Sequence, residues 1–193
     1  MNRADVVTFI QQHVKTDVLM RHLIAVEAAM KAYAKKYGED EEKWGIAGLV
    51  HDFDWEIVPT PEEHPAYGAN ILQKAGFSDE IVRAVLTHGN HTEIELKRES
   101  LMEKVLFAVD ELTGFIRAVA LVGADKNLKA VNSKRVRKKM KDKAFARQVN
   151  RDDIVNGAEA MDLDLDTHID FVVNSLAPVA TDIGLVQHEI SDE

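Results

Sequence analysis

The chain has 193 residues, 46% of them apolar, 30% charged and 6% aromatic, enough for one generous core or two small ones joined tightly. Ten glycines and four prolines are too few for an all-β sandwich or a linker-rich chain, and a mean hydropathy of -0.22 excludes global disorder. With no cysteine there is no disulfide, thiolate nucleophile, cysteine–zinc site or iron–sulfur cluster. Eight histidines stand out against that background, five of them at positions 22–91.

Period-3.6 patterns dominate and no convincing period-2 strand is found, so an all-α fold is expected. A first helix is predicted over residues 3–13. A second, over 17–37, has Thr16 as cap and Gly38 as terminator, and a third covers 41–52. The loop FDWEIVPTPEE leads to a helix beginning at Pro65 and ending at Gly76. Ser78 caps the next, which closes at Gly89, and Ser100 caps a long apolar helix reaching about Val122. The segment SKRVRKKMKDKAF reads as a helix with Ser133 as cap. Asn150 or Asp152 starts a helix to about Met161, and Asp166 starts the last one, which Pro178 kinks or breaks. The acidic end HEISDE is expected to fray. No repeat or linker divides the chain, so one domain with a C-terminal helical extension is expected.

The formal charge of -9 disfavours nonspecific binding to nucleic acid or anionic lipid. The charge is uneven, however: residues 126–147 carry ten Lys/Arg and one acid, Asp142. That stretch reads either as a solvated helical face offsetting an acidic body or as an arm for phosphate groups. A nucleic-acid module ranks third, because only Phe145 interleaves with the charges. No basic-then-apolar leader and no run of about 18 apolar residues is found, so a cytoplasmic protein without a membrane partner is the expectation.

Several ionisable residues fall where helices bury hydrocarbon. His22 has Val18, Leu19, Ala25 and Val26 as its helical neighbours; Asp110 lies beside Leu106, Phe107 and Gly114; His51 and Asp52 follow the apolar IAGLV. One such histidine is ordinarily a satisfied core residue. An isolated inward carboxylate is costly unless paired or bound to a cation, so two of them with several histidines point to a divalent metal. Imidazole and carboxylate suit Mn, Fe, Co, Ni or Zn.

The order His22, then His51-Asp52, then Asp110, read in RHLIAVEAAM, LVHDFDW and FAVDELTGF, resembles the HD-domain superfamily of metal-dependent phosphohydrolases. The segment KKMKDKAFARQVNRDDI is similar to the C-terminal part of small bacterial members. The resemblance runs through the motifs over about residues 15–122, with the basic arm and C-terminal helices at 126–190. It implies an HD-like helical bundle in which His22, His51, Asp52 and Asp110 ligate the principal metal. His64, in EEHPAYGANIL, and His88, in AVLTHGNHT, match a dinuclear branch in which Asp52 bridges two ions and these histidines hold the second. Taken alone, His64 reads as a cap residue and His88 as a partner of a helix C-terminal dipole.

The implied cofactor is one or two divalent ions (Mn, Fe, Co, Ni, Mg or Zn). The implied reaction is hydrolysis of a small phosphorylated substrate, a metabolite or nucleotide, with Asp52 at its centre. Asp54 is a candidate for acid–base work or for orienting a ligating histidine, and Trp55 for walling the pocket. Asp54 and Trp55 replace the glycine and lysine of the HDIGK pattern, and a Gly-Tyr-Pro signature is missing, which argues against cyclic-dinucleotide hydrolysis. His91 reads as an extra ligand or a loop residue. The superfamily also contains dinuclear iron oxygenases, so oxidative cleavage is the competing chemistry. A noncatalytic, metal-stabilised ligand-binding module is the third reading.

Overall fold

A computed structural model describes residues 1–58, 60, 62–90 and 96–186. Among them are helices and no strands: α1 (Arg3–Ile10), α2 (Asp17–Tyr37), α3 (Glu41–Val50), α4 (Ala66–Lys74), α5 (Asp79–Thr87), α6 (Leu101–Leu121), α7 (Ser133–Met140), α8 (Arg151–Ala160) and α9 (Leu165–Leu176), then a 3-10 turn at Ala177–Val179. No helix of the described residues is long and apolar enough to cross a membrane.

Local chemistry sets most boundaries. Thr16 accepts from the Leu19 N–H, and Gly38 closes α2 in the left-handed region at φ +72°. Ser100 and Glu103 form a reciprocal capping box at α6. Three starts differ from the sequence reading. Asn132 rather than Ser133 caps α7, because Ser133 spends its N–H and O–H on Asp170, at 2.6 and 2.9 Å. Asp164 rather than Asp166 caps α9, accepting from Thr167. Pro65 precedes α4 as its cap residue instead of opening it. At the other ends, α1 stops at Ile10 and α3 at Val50, which leaves His51 and Asp52 in the turn that follows. The last helix tightens to 3-10 geometry at Pro178, where the ring removes a backbone donor.

The long helices α2 and α6 pack on each other and organise the rest. Helix α3 lies against α2, α5 against α3 and α6, and α8 and α9 cover α6. Apolar side chains from Val6 to Leu185 form one buried cluster across these faces. Closeness of α3 to α2 depends on Gly48, where a Cβ would lie 2.8 Å from the Glu27 backbone nitrogen. That approach brings the C-terminal end of α3 alongside the middle of α2.

The charged surface is also pinned. Glu27, only 4% exposed, takes two bonds from Arg3 (2.6 and 2.8 Å) and one from Lys31 (2.5 Å), tying α1 to α2. In α7 only Val136 is buried; Arg137 pairs with Asp166 at 3.2 Å, and Lys139 lies over the Phe145 ring. Two histidines outside the motif have plain structural roles. His13 meets the Phe9 and Phe53 rings edge-on. Buried His168 donates from Nε2 to the Ala108 carbonyl at 3.0 Å, so its Nδ1 accepts the Tyr33 hydroxyl at 2.5 Å. Burial holds His168 below the usual histidine range, which suits the neutral ring these bonds require. His188 and the HEISDE end lie outside the described residues.

Candidate metal centre

Five parts of the chain deliver side chains to one point. His22 projects from the middle of α2 and Asp110 from the middle of α6. His51 and Asp52 leave the end of α3, and His64 and His88 come from the approach to α4 and the end of α5. The donors fall into two groups. In the first, His22 Nε2 lies 3.0 Å from Asp110 Oδ1 and 3.1 Å from His51 Nε2, while His51 Nε2 lies 3.3 Å from Asp110 Oδ1. Asp52 joins this group through Oδ2, at 3.5 Å from His51 and 3.7 Å from His22. In the second, Asp52 Oδ1 lies 3.1 Å from both His64 Nε2 and His88 Nε2, which are 3.2 Å apart. Asp52 therefore presents one oxygen to each group.

The hydrogen bonds behind the rings fix their tautomers. His51 sits at the C-terminal end of α3 and its Nδ1 meets the Gly48 carbonyl at 2.8 Å. His88 repeats this at the end of α5, with Nδ1 on the Val85 carbonyl at 2.6 Å. These carbonyls belong to last helical turns, where acceptors lack helical partners. A carbonyl only accepts, so each Nδ1 carries hydrogen and each Nε2 of the neutral ring offers a lone pair to the centre. The third such ring is His64, whose Nδ1 donates to Asp54 Oδ1 at 2.8 Å. Lone pairs of His64, His88 and Asp52 thus converge within 3.2 Å, an arrangement that repels itself unless positive charge lies between them.

The donor spacing fits that charge being a metal ion. With ligand bonds of about 2.1 Å, neighbouring donors sit about 3.0 Å apart on an octahedron and about 3.4 Å on a tetrahedron. The separations of 3.0–3.7 Å in the first group and 3.1–3.2 Å in the second lie in or near that range. All donors are nitrogen or oxygen, as Mn, Fe, Co, Ni or Zn accept. Protonation follows the same demand. Burial alone would strip the proton from His51, but Asp52 and Asp110 overcome it and hold His51 well above the histidine range. His64 is pushed up to about 9, burial again being outweighed, here by Asp52 and Asp54. Asp52 and Asp110 are held low by the same imidazoles despite their burial.

Asp54 stands behind this layer. Its side chain is fully buried, with Oδ1 on His64 and Oδ2 accepting the Gly68 N–H at 2.8 Å. Both oxygens are engaged away from the cavity, so the structure gives Asp54 the orienting position and no contact for acid–base work. Gly68 makes room for it: a Cβ there would lie 2.6 Å from the Asp54 carboxyl carbon.

A cavity of about 320 Å³ opens over the two groups, reached by His22, Asp52, His64, His88 and Asp110. Its far wall holds residues the motif reading missed: Glu111, Asp153, Asn90, Asn150 and Gln148. Glu111 follows the same helical stripe as Phe107, Asp110 and Gly114, a spacing visible in the sequence. Burial, then the neighbouring Asp110, raises it to about 7. Asp153 accepts from Asn90 at 2.6 Å and Asn150 at 2.8 Å; as a first-turn acid of α8 it looks in sequence like any helix-dipole partner. Arg98 holds the adjoining backbone through the Thr87 and Gly89 carbonyls, both at 2.7 Å. No Lys or Arg of residues 126–147 is among the described lining residues. His91 lies outside the described residues.

With this geometry established, residues 19–114 match the family model for the HD domain, about half the chain. The chain belongs to the HD-domain superfamily, and its His/Asp cluster has the chemistry to hold divalent metal. Neither a curated protein nor a solved structure gives a significant match.

Two predictions follow from the bonds behind the rings. Asp54→Asn is expected to weaken metal binding by about 10–100-fold, as loss of a carboxylate behind a ligating histidine does; metal titration checks it, and unchanged affinity contradicts it. In the metal-free chain, protonated His64 contributes stability that is present below the ordinary value near 6.5 and lost as pH rises through about 9. Metal binding at pH 7 must therefore release protons, and apparent affinity must fall as pH is lowered. Calorimetry in buffers of different ionisation enthalpy measures this, and binding without proton release contradicts it.

Proposed function

We propose that this protein is a dinuclear metal-dependent phosphohydrolase that cleaves a phosphate ester of a small metabolite or nucleotide. The observation that carries the reading is the division of Asp52, with one oxygen toward His22, His51 and Asp110 and the other toward His64 and His88, beneath an open cavity. Two ions held there would polarise a phosphoryl oxygen and generate a nucleophilic hydroxide from bound water at neutral pH.

The chain's own residues supply the positioning. Asp52 fixes the separation of the two donor groups and is the catalytic residue of this reading. Bonds from His51 to Gly48, from His88 to Val85 and from His64 to Asp54 stop the rings from turning, so the donors need no rearrangement during turnover. Among the described residues the second group has three protein donors against four in the first, which would leave more room there for water or substrate. The small cavity suits an ester with one phosphate, since its wall of Glu111 and Asp153 opposes further anionic groups.

Protein loaded with Mn, Co, Ni or Mg is expected to release phosphate from members of a mono- and diester panel. His51→Ala and Asp52→Ala should each lower kcat/KM by at least about a thousandfold, the scale expected when the metal-held nucleophile is lost. Activity surviving both substitutions would overturn the assignment. Oxygen consumption by iron-loaded protein, with no phosphate release from the panel, would replace hydrolysis by oxidative cleavage.

A further inference from the structure

A second cavity, of about 620 Å³, adjoins the metal centre and shares His22, Asp52 and Trp55 with the first. Its character is different. Val18, Leu19 and Trp55 make most of its wall apolar, and Lys15 and Glu56 stand among them. Val18 is 64% exposed and Trp55 42% exposed, so neither is used by the core. Single exposed apolar side chains are common on proteins, but these two flank one opening beside the ligands His22 and Asp52.

The wall is built to keep its shape. The Glu56 carboxylate accepts from the Lys15 N–H at 2.5 Å, the Thr16 N–H at 3.2 Å and the Thr16 hydroxyl, tying the start of α2 to the turn that carries Trp55. The Trp55 backbone N–H donates to the Asp52 backbone carbonyl at 3.0 Å, and the indole ring stands perpendicular to His64 with centroids 5.1 Å apart. The indole lies next to His64 and lines the cavity beside Asp52 while much of its surface stays open.

We propose that this cavity seats the leaving group of the ester and selects an aromatic or heterocyclic ring, with Trp55 as the specificity-determining residue. The inference rests on the phosphoester reading above. The two cavities divide the substrate by chemistry. A phosphoryl group belongs at Asp52, where positive charge is required. Phe107 and Trp55 interrupt the first cavity's wall of carboxylates and amides, which opposes a second phosphate, whereas beyond the shared ligands the second cavity is mostly apolar and suits a ring, which an indole face attracts by stacking. The substrate class is therefore a monophosphate ester of a ring-bearing alcohol, a phenol or a nucleoside, in preference to a sugar phosphate or a polyphosphate.

Phenylphosphonate and methylphosphonate test this without turnover, because their C–P bonds are not hydrolysed and they differ only in the ring. Binding to metal-loaded protein is measured by calorimetry. Trp55 fluorescence adds a second signal, because Trp44, the other tryptophan, is buried at 3% exposure. Wild type is expected to bind phenylphosphonate at least about tenfold more tightly and to show Trp55 quenching. In Trp55→Ala, and separately in Val18→Glu, that ratio should fall to about one. Equal binding of the two by wild type, or a ratio that survives both substitutions, overturns the ring subsite while leaving the phosphoester reading intact. Binding of neither phosphonate overturns the phosphoester reading and this inference with it.

Discussion

The structure depends on a concentration of lone pairs that requires positive charge among them, from imidazole protons or from a metal ion. Asp52 offers an oxygen to each of two donor groups, and His51, His64 and His88 around it have their Nδ1 hydrogens committed elsewhere. Carbonyls at the ends of α3 and α5 do much of this work, turning a helix terminus from a place of unsatisfied acceptors into a clamp for a ligating ring. The close contact of α2 with α3 at Gly48 and the packing of α2 on α6 exist in register with that clamp. Shifting either helix by one residue would turn His22 or Asp110 about 100° away from the centre.

Part of this was legible in the sequence and part was not, for physical reasons. His22, His51, Asp52 and Asp110 are readable because an ionisable group on an apolar helical stripe is costly, and cost implies a partner. His64 and His88 are harder, since a histidine at either end of a helix has an ordinary explanation in capping or dipole chemistry. Their Nε2 atoms at 3.2 Å make the difference, and only the tertiary fold supplies that distance. Asp54 shows the limit most clearly. Two residues after Asp52 in a turn, it has no periodicity to give its direction, and the fold turns it to the back of His64. Asp153 and Asn90 lie inside the segments KKMKDKAFARQVNRDDI and AVLTHGNHT, but nothing in either marks them as a pair, and their bond at 2.6 Å is a tertiary event.

Charge is arranged more locally than the total of -9 implies. The basic segment forms α7 and its surroundings, held by Asp166 and Asp170 of α9, while the charged residues lining the cavity beyond the ligands are the carboxylates Glu111 and Asp153. Positive charge at the centre is thus left to what the His/Asp cluster holds. The apolar opening beside Trp55 gives the same centre a second, chemically different neighbour. In the proposed reaction these two flanks would read the two ends of the substrate.

The most direct measurement is the number of metal ions per chain in protein purified without chelator, determined by elemental analysis for wild type and for His64→Ala. The account predicts two ions in wild type and one in the variant, because removing His64 leaves the second group, among the described residues, with Asp52 and His88 while the first keeps all its donors. A wild-type count of one that His64→Ala leaves unchanged, or no metal in either, would contradict it.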